Sequence, residues 1–376
     1  MTHPAAPPVG TGSGFPILGP LGRGARIAVL VTLAVSVLAI VLELVLHVEG
    51  TPVFIVSAAG ILGLAWVVGL ATERLGAITG PQLGGILNAT FGNIAELIIA
   101  FFALQAGLIT VVKASITGSI IGNLLLVLGV SLLVGGLRNG IQHFSRLIAG
   151  SNAALLVLAL VGLFVPAVFA FSSGDASNDT LTEESVLVAF ALIAGYVLSI
   201  VWQFTNPERT LGGHGEPGGH SGPAWTGSIA VGVLVGAAVL LAILSEFLVG
   251  SIEPFIAQFG LSEFFVGVIL IPTIGNLAEH IVAVQLAWKD KMEFAMAVCY
   301  GSSLQVALFV APVLVLAGVV IGQQMDLVFH PLEVAAVGAA VGISALISLD
   351  GESNWLEGAL LTIVYVILAI SFFELR

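Results

Sequence analysis

Two short segments of this chain place a carboxylate and an amide where they could bind a cation. Residues 92–96 (Gly-Asn-Ile-Ala-Glu) and 275–279 (Gly-Asn-Leu-Ala-Glu) share one pattern and lie 183 residues apart. Side chains three residues apart in a helix share a face, so each Asn stands beside its Glu. Ca²⁺ is a hard ion that takes about six to eight oxygen ligands, whereas Mg²⁺ demands tighter, better hydrated geometry. If the two segments meet in the fold, their side-chain oxygens supply part of the coordination shell of a Ca²⁺ ion. The residues are Glu96, Glu279, Asn93 and Asn276.

A second match at the same offset lies one predicted helix later. Gly118-Ser119 and Gly301-Ser302 are also 183 residues apart. Two matches at one offset indicate an internal duplication. Small polar side chains near these positions are predicted to contact the ion or brace the glutamates. This second wall comprises Ser119, Asn123, Ser302, Ser303 and Gln305.

Several of these residues also have a structural interpretation. His280, next to Glu279, is either a satisfied core histidine or a gate or proton relay. Glu73 and Glu246 lie near predicted helix ends, where an acid is either solvated or placed at an ion entrance. The asparagines of both segments alternatively only join helices by hydrogen bonds, and the serines only allow close packing.

The composition requires a membrane environment. The chain is 58% hydrophobic and 9% charged, with a mean hydropathy of +1.13. A carboxylate at mid-membrane costs at least about 2.5–3.5 kcal/mol, so an acid there predicts function.

The net charge of −12 argues against a nucleic-acid partner. The lone Cys299 excludes a disulfide or cysteine-based metal framework. An intramembrane enzyme would need a nucleophile or a metal triad, and no His-x-x-x-His or comparable cluster appears in any span, so we expect no enzyme activity. No cofactor is expected either.

Apolar runs long enough to cross roughly 30 Å of hydrocarbon predict an all-α polytopic membrane protein with eleven transmembrane helices. The predicted order is a flexible tail (1–25), a first transmembrane helix (26–50), repeat A (51–204), a cytoplasmic Gly/His-rich linker (205–224) and repeat B (225–376). Each repeat has five helices. Because five is odd, the second repeat is inverted relative to the first.

Inverted repeats with interrupted helices that meet near the bilayer midplane are typical of secondary transporters. The predicted interruptions are Gly84, Gly85 and Gly92 in one helix and Pro272 and Gly275 in the other.

The distribution of basic residues predicts the orientation in the membrane. Lys and Arg accumulate in cytoplasmic loops. A cytoplasmic N-terminus places all but one of the loop cations inside: Arg23, Arg26, Arg74, Arg138, Arg146, Arg209, Lys289 and Lys291. The C-terminus with Arg376 then lies outside, and a bacterial plasma membrane is the expected location. Whether the chain forms a homo-oligomer stays open.

The motifs resemble those of a known family. Residues 84–97 and 118–129 are similar to the first signature of the calcium/proton exchanger family, in the calcium/cation antiporter superfamily. Residues 272–280, 289–292 and 301–305 are similar to its second signature. The resemblance covers essentially the whole membrane region.

The resemblance implies eleven helices and exchange of Ca²⁺ for H⁺ at Glu96 and Glu279. It also implies that the adjoining positions form the site, namely Gly92, Asn93, Gly275 and Asn276, with Ser119, Ser302 and Gln305 as the second wall. Many eukaryotic members of the family carry a long acidic segment between the halves. Here the short linker has His214 and His220 instead, which puts regulation through an acidic helix in doubt.

Two facing carboxylates in low dielectric cannot both stay ionised cheaply, so protons and Ca²⁺ are expected to compete for them. Either cargo must neutralise the site before the bundle moves between its two access states. The alternatives are a sodium-coupled calcium exchanger and a cation channel. A channel would show no obligatory proton countermovement.

Overall fold

The computed structural model describes residues 17–80, 83–84, 87, 90–174, 177–206 and 225–375. Nine helices in these ranges are long and apolar enough to cross a membrane, and two shorter apolar helices accompany them. The predicted all-helical polytopic fold is therefore confirmed, while the count of eleven crossings stays a prediction. The tail up to residue 16, Gly85, most of the linker with both of its histidines, and Arg376 lie outside the described residues.

The helices divide evenly between the two halves of the chain. The first half contains α1 (Arg23–Leu44), α2 (Thr51–Thr79), α3 (Ile94–Gln105), α4 (Ile109–Asn139), α5 (Arg146–Ser173) and α6 (Asn178–Thr205). The second half contains α7 (Gly227–Gly250), the short α8 (Ile252–Phe259), α9 (Glu263–Trp288), α10 (Met292–Ile321), α11 (Pro331–Ile347) and α12 (Trp355–Glu374). Strands β1 (Gln142–His143) and β2 (Glu352–Ser353) pair antiparallel.

Apolar sequence and polar caps explain why these segments are helical. Backbone groups in lipid must pair within their own segment, which a helix achieves. Leu, Val, Ile and Phe side chains remain exposed along the outward faces, where lipid would cover them. Ser145 Oγ accepts from the backbone N–H of Ile148 at the start of α5, and Asn354 caps α12 in the same way.

Three of the long helices contain a short π-helical segment. These segments are Gly122–Val127 in α4, Val266–Leu270 in α9 and Val306–Val310 in α10. Such insertions often occur at functional sites, because they re-aim the side chains beside them. The segments of α4 and α10 occupy equivalent positions at the 183-residue offset of the sequence motifs.

The structure differs from the prediction that α9 is interrupted at Pro272 and Gly275. The α-helical part of α9, Ile271–Trp288, continues through both residues, and the irregular π segment lies directly before it. Proline is tolerated in the first turn because its missing N–H is not needed there. In the first half, Gly92 and Asn93 form a turn immediately before α3.

Two sets of loop contacts tie the halves together at opposite ends of α4. At its last turn, Asn139 Nδ2 donates to the carbonyl of Ala287, and Arg138 stacks 4.1 Å from the ring centroid of Trp288. We call this the Arg138 end. Near its start, Lys113 Nζ donates to Asp326 Oδ1 at 2.6 Å. We call this the Lys113 end.

Candidate functional site

Glu96 lies at the start of α3, directly after the turn at Gly92 and Asn93. It occupies the first helical turn, where unpaired N–H groups and the helix dipole stabilise a carboxylate. Only 8% of Glu96 is exposed. The sequence therefore places an acid inside the bundle at a helix N-terminus.

Gly275 of α9 brings the second half of the chain against this acid. A Cβ added at Gly275 would lie 2.9 Å from Glu96 Cγ and 3.3 Å from its Cδ. Glu279 follows one helical turn later on α9. Gly275 therefore permits the close approach of α9 to Glu96.

The two asparagines pair with serines of the opposite half. Ser302 Oγ on α10 donates to Asn93 Oδ1 at 2.9 Å. Asn276 Nδ2 on α9 donates to Ser119 Oγ on α4 at 3.2 Å. Asn93 corresponds to Asn276, and Ser119 to Ser302, at the 183-residue offset. The two residue pairs are thus counterparts that both cross between the halves, although serine donates in one and asparagine donates in the other.

Further polar residues surround one of these pairs. Asn93 Nδ2 donates to Gln305 Oε1 at 2.6 Å, and Asn123 Nδ2 donates to Ser302 Oγ at 3.0 Å. His280 Nε2 lies 3.1 Å from Asn123 Oδ1. The positions equivalent to these additions are Gly122, Val306 and Leu97, which carry no polar side chain. The site is therefore symmetric at its centre and asymmetric around it.

Three buried oxygen atoms at this centre have no hydrogen-bond partner among the described residues. They are Glu96 Oε1, Glu279 Oε2 and Asn276 Oδ1. The amide of Asn276 is 1% exposed, and its nitrogen is already engaged with Ser119. Buried polar atoms are normally paired, so unpaired acceptors that share a site favour a cationic ligand.

Close packing holds the two halves together around these residues. Gly118, next to Ser119, faces the backbone of Val268 in the π segment of α9, and a Cβ there would collide with it. A cavity of about 10 Å³ adjoins Glu96, with Ser115, Ser119 and Pro272 in its wall. This volume is roughly the space that one water needs.

Some predicted residues are not drawn into the site. Ser303 is buried, but its Oγ donates to the carbonyl of Cys299 on its own helix. Glu73 and Glu246 are both exposed, on α2 and α7. Gly92 contributes to the turn before α3. Within the described ranges, no group of three or more His, Cys, Asp or Glu side chains could hold a metal ion.

Sequence reasoning missed one buried acid. Glu333 is 2% exposed, and its Oε1 accepts from Thr117 Oγ1 at 2.6 Å. The available signal was an acid three residues after His330 at the start of an apolar run, a pattern typical of a helix cap. His330 and Glu333 do form a capping box.

The fold defines an integral membrane protein, with Glu96 buried and Glu279 half-buried between its helices. The family described as sodium/calcium exchanger protein matches residues 49–205 and 229–373. A Ca(2+)/H(+) antiporter of Aphanothece halophytica is 44% identical over 87% of this chain and 91% of that protein. The Ca(2+)/H(+) antiporter ChaA of Bacillus subtilis is 42% identical over 88% of this chain and 94% of that protein.

Solved structures agree with this relationship. Native YfkE is 39% identical, with a TM-score of 0.80 over 93% of this chain and 99% of that one. The H⁺/Ca²⁺ exchanger CAX has a TM-score of 0.63 over 94% of this chain and 93% of that one, but at 16% identity it shows the fold alone. The chain belongs to the calcium/proton exchanger family, which consists of transporters and not of enzymes.

Proposed function

We propose that this chain exchanges Ca²⁺ for H⁺ by alternating access, with Glu96 and Glu279 as the shared binding groups. The unpaired buried oxygens of Glu96, Glu279 and Asn276 are the observation that carries the proposal. Relatives more than 40% identical over most of the chain bear the name Ca²⁺/H⁺ antiporter, which supports this pair of ions.

The proposed ligands suit Ca²⁺ as the transported ion. Two carboxylates and one amide carbonyl are hard oxygen donors, and Ca²⁺ accepts further oxygens from backbone and water in flexible geometry. Asn93 has both ends of its amide engaged, with Ser302 and Gln305. We therefore assign Asn276 as a ligand and Asn93 as a positioning residue.

Competition between the cargoes provides the coupling. Two carboxylates in a low-dielectric site repel each other strongly, and either one divalent ion or protons remove that repulsion. An empty site with two ionised carboxylates is energetically costly within the membrane interior. Movement between the two access states is thus confined to the calcium-loaded and protonated forms.

The proposal includes two inverted five-helix repeats, α2–α6 and α7 with α9–α12. The start of α4 contacts Asp326, just after α10 ends, and the end of α4 contacts Ala287, just before α10 begins. The equivalent helices α4 and α10 therefore run in opposite directions, which supports the inversion. Inverted halves that meet at α3 and α9, the helices with the two glutamates, have the architecture of many secondary transporters.

The same contacts support the proposed orientation. At the Arg138 end, Arg146 Nε donates to the carbonyl of Asp350, and Gln142 Nε2 donates to Asp290 Oδ1. The loops that hold four of the eight predicted cytoplasmic cations, Arg138, Arg146, Lys289 and Lys291, thus meet on one side. We assign that side to the cytoplasm by the positive-inside rule.

Calcium uptake into sealed vesicles with an imposed pH gradient tests the function. We expect uptake to follow the pH gradient, to need no sodium and to collapse with a protonophore. Glu96→Gln and Glu279→Gln should each abolish uptake, because the remaining charge cannot balance a divalent ion. Glu253→Gln, the same change at an exposed position of α8, should leave it intact. Uptake that follows sodium and ignores the pH gradient would reject proton coupling.

A further inference from the structure

A cluster of charged side chains at the Lys113 end lies outside the cation site. Lys113 Nζ donates to Asp326 Oδ1 at 2.6 Å and to the carbonyl of Val328 at 2.9 Å. The side chains of Lys113 and Asp326 are 15% and 30% exposed. The segment between α10 and α11 is thus fastened to the first turns of α4.

A second carboxylate fastens the next turn of α4. Thr117 Oγ1 donates to Glu333 Oε1 at 2.6 Å, and the backbone N–H of His330 donates to Glu333 Oε2 at 2.9 Å. The Lys113–Asp326 ion pair and the Glu333 carboxylate thus hold two consecutive turns of α4.

This cluster holds the stretch of α4 that reaches the cation site. Thr117 is followed by Gly118, packed on the backbone of α9, and by Ser119, the partner of Asn276. Ser115, midway between Lys113 and Thr117, lines the cavity beside Glu96. Movement of this stretch away from the α10–α11 segment would loosen the wall of that cavity.

The equivalent positions of α10, at the opposite end of the bundle, carry no charged side chain. The residues equivalent to Lys113 and Thr117 are Met296 and Tyr300 of α10. Met296 is buried, and Tyr300 donates to the carbonyl of Ser344 at 3.0 Å. The two halves thus differ in charge at these equivalent positions of α4 and α10.

We propose that Lys113, Asp326 and Glu333 form a charged clamp that closes the Lys113 end and biases the exchanger toward the state closed there. The inference rests on the proposed exchange function. A clamp present in only one access state shifts the populations of the two states. The state that binds Ca²⁺ from the Lys113 face is then the less populated one, so the apparent affinity from that face is lower. Binding from the other face carries no such penalty.

Transport measured from both faces tests the clamp. Lys113→Met installs the residue found at the equivalent position of α10, and Asp326→Asn removes the partner charge. In vesicles of both orientations, each change should lower the Ca²⁺ KM at least about fivefold from the Lys113 face and raise it from the other face. The charge swap Lys113→Asp with Asp326→Lys should move both values back toward wild type. Lys289→Met, the same change at an exposed lysine, is the control.

Thiol labelling gives a readout that does not need transport. In a Cys299→Ala background, Ser115→Cys should react faster with an impermeant thiol reagent from the Lys113 face when Lys113→Met is added. Equal loss of transport from both faces with unchanged labelling would assign these residues a purely structural role and overturn the clamp. If wild-type exchange itself is absent, the proposed function fails, and the labelling comparison still decides whether the clamp closes this end.

Discussion

Gly275→Ala should weaken Ca²⁺ binding by displacing Glu96. The added Cβ would lie 2.9 Å from Glu96 Cγ and 3.6 Å from its Oε1. Carbon atoms in contact prefer about 3.5–4.0 Å, so Glu96 must move by roughly 0.6–1.1 Å. The first turn of α3 fixes the backbone of Glu96, so rotation of its side chain must supply this movement.

Overpacking of this kind costs about 1–3 kcal/mol. A loss of 1.4 kcal/mol is tenfold in an equilibrium constant, so the Ca²⁺ KM should rise by about 5–150-fold if the whole strain acts on the bound state. The KM for Ca²⁺ uptake in vesicles at fixed pH gradient measures this. Because Gly→Ala also improves helix propensity, the matched control is Gly342→Ala, at an exposed position of α11. An unchanged KM in both variants would show that Glu96 need not stay where it is to bind Ca²⁺.

Two further changes probe the packing behind the site. Gly118→Ala would drive a Cβ into the backbone of Val268, so we expect a loss of about 1–3 kcal/mol in stability, seen as a lower midpoint of thermal unfolding in detergent. Gly301→Ala, at the equivalent position of α10, meets no described atom within 4 Å and should leave that midpoint unchanged; equal effects would contradict the packing argument. Tyr300→Phe removes the hydrogen bonds to the Ser344 carbonyl and Ser348 Oγ and should cost about 1 kcal/mol. An unaltered midpoint in Tyr300→Phe would show that these bonds do not stabilise the bundle.

The centre of the site could be predicted from the sequence because the duplication repeats it. Glu96 and Glu279 stand at one offset with their asparagines, and an acid in an apolar span is seldom structural. Ser119 and Ser302 repeat at the same offset, but they were expected to contact the ion or the glutamates, and their pairing with the asparagines was not predicted. Composition was sufficient for the helical membrane fold.

The other contacts of the site depend on tertiary packing, which the hydrophobic periodicity of the sequence does not predict. Ser302 and Ser303 are adjacent, yet one hydroxyl faces Asn93 and the other bonds its own helix, because they point to different sides of α10. The π segments leave no clear local signal, so the regular course of α9 through Gly275 was not expected. Lys113 has the pattern of an interfacial lysine, and only the return of the α10–α11 segment places Asp326 against it.

The central claim is that one Ca²⁺ and protons compete for Glu96 and Glu279. Calcium titration of the purified protein over a range of pH, with the released protons counted from buffers of different ionisation heat, tests it most directly. We expect one Ca²⁺ per chain, weaker binding as the pH falls, and proton release that disappears together with binding in Glu279→Gln. Calcium binding that is equally tight at low pH, or that survives in Glu279→Gln, would contradict the account.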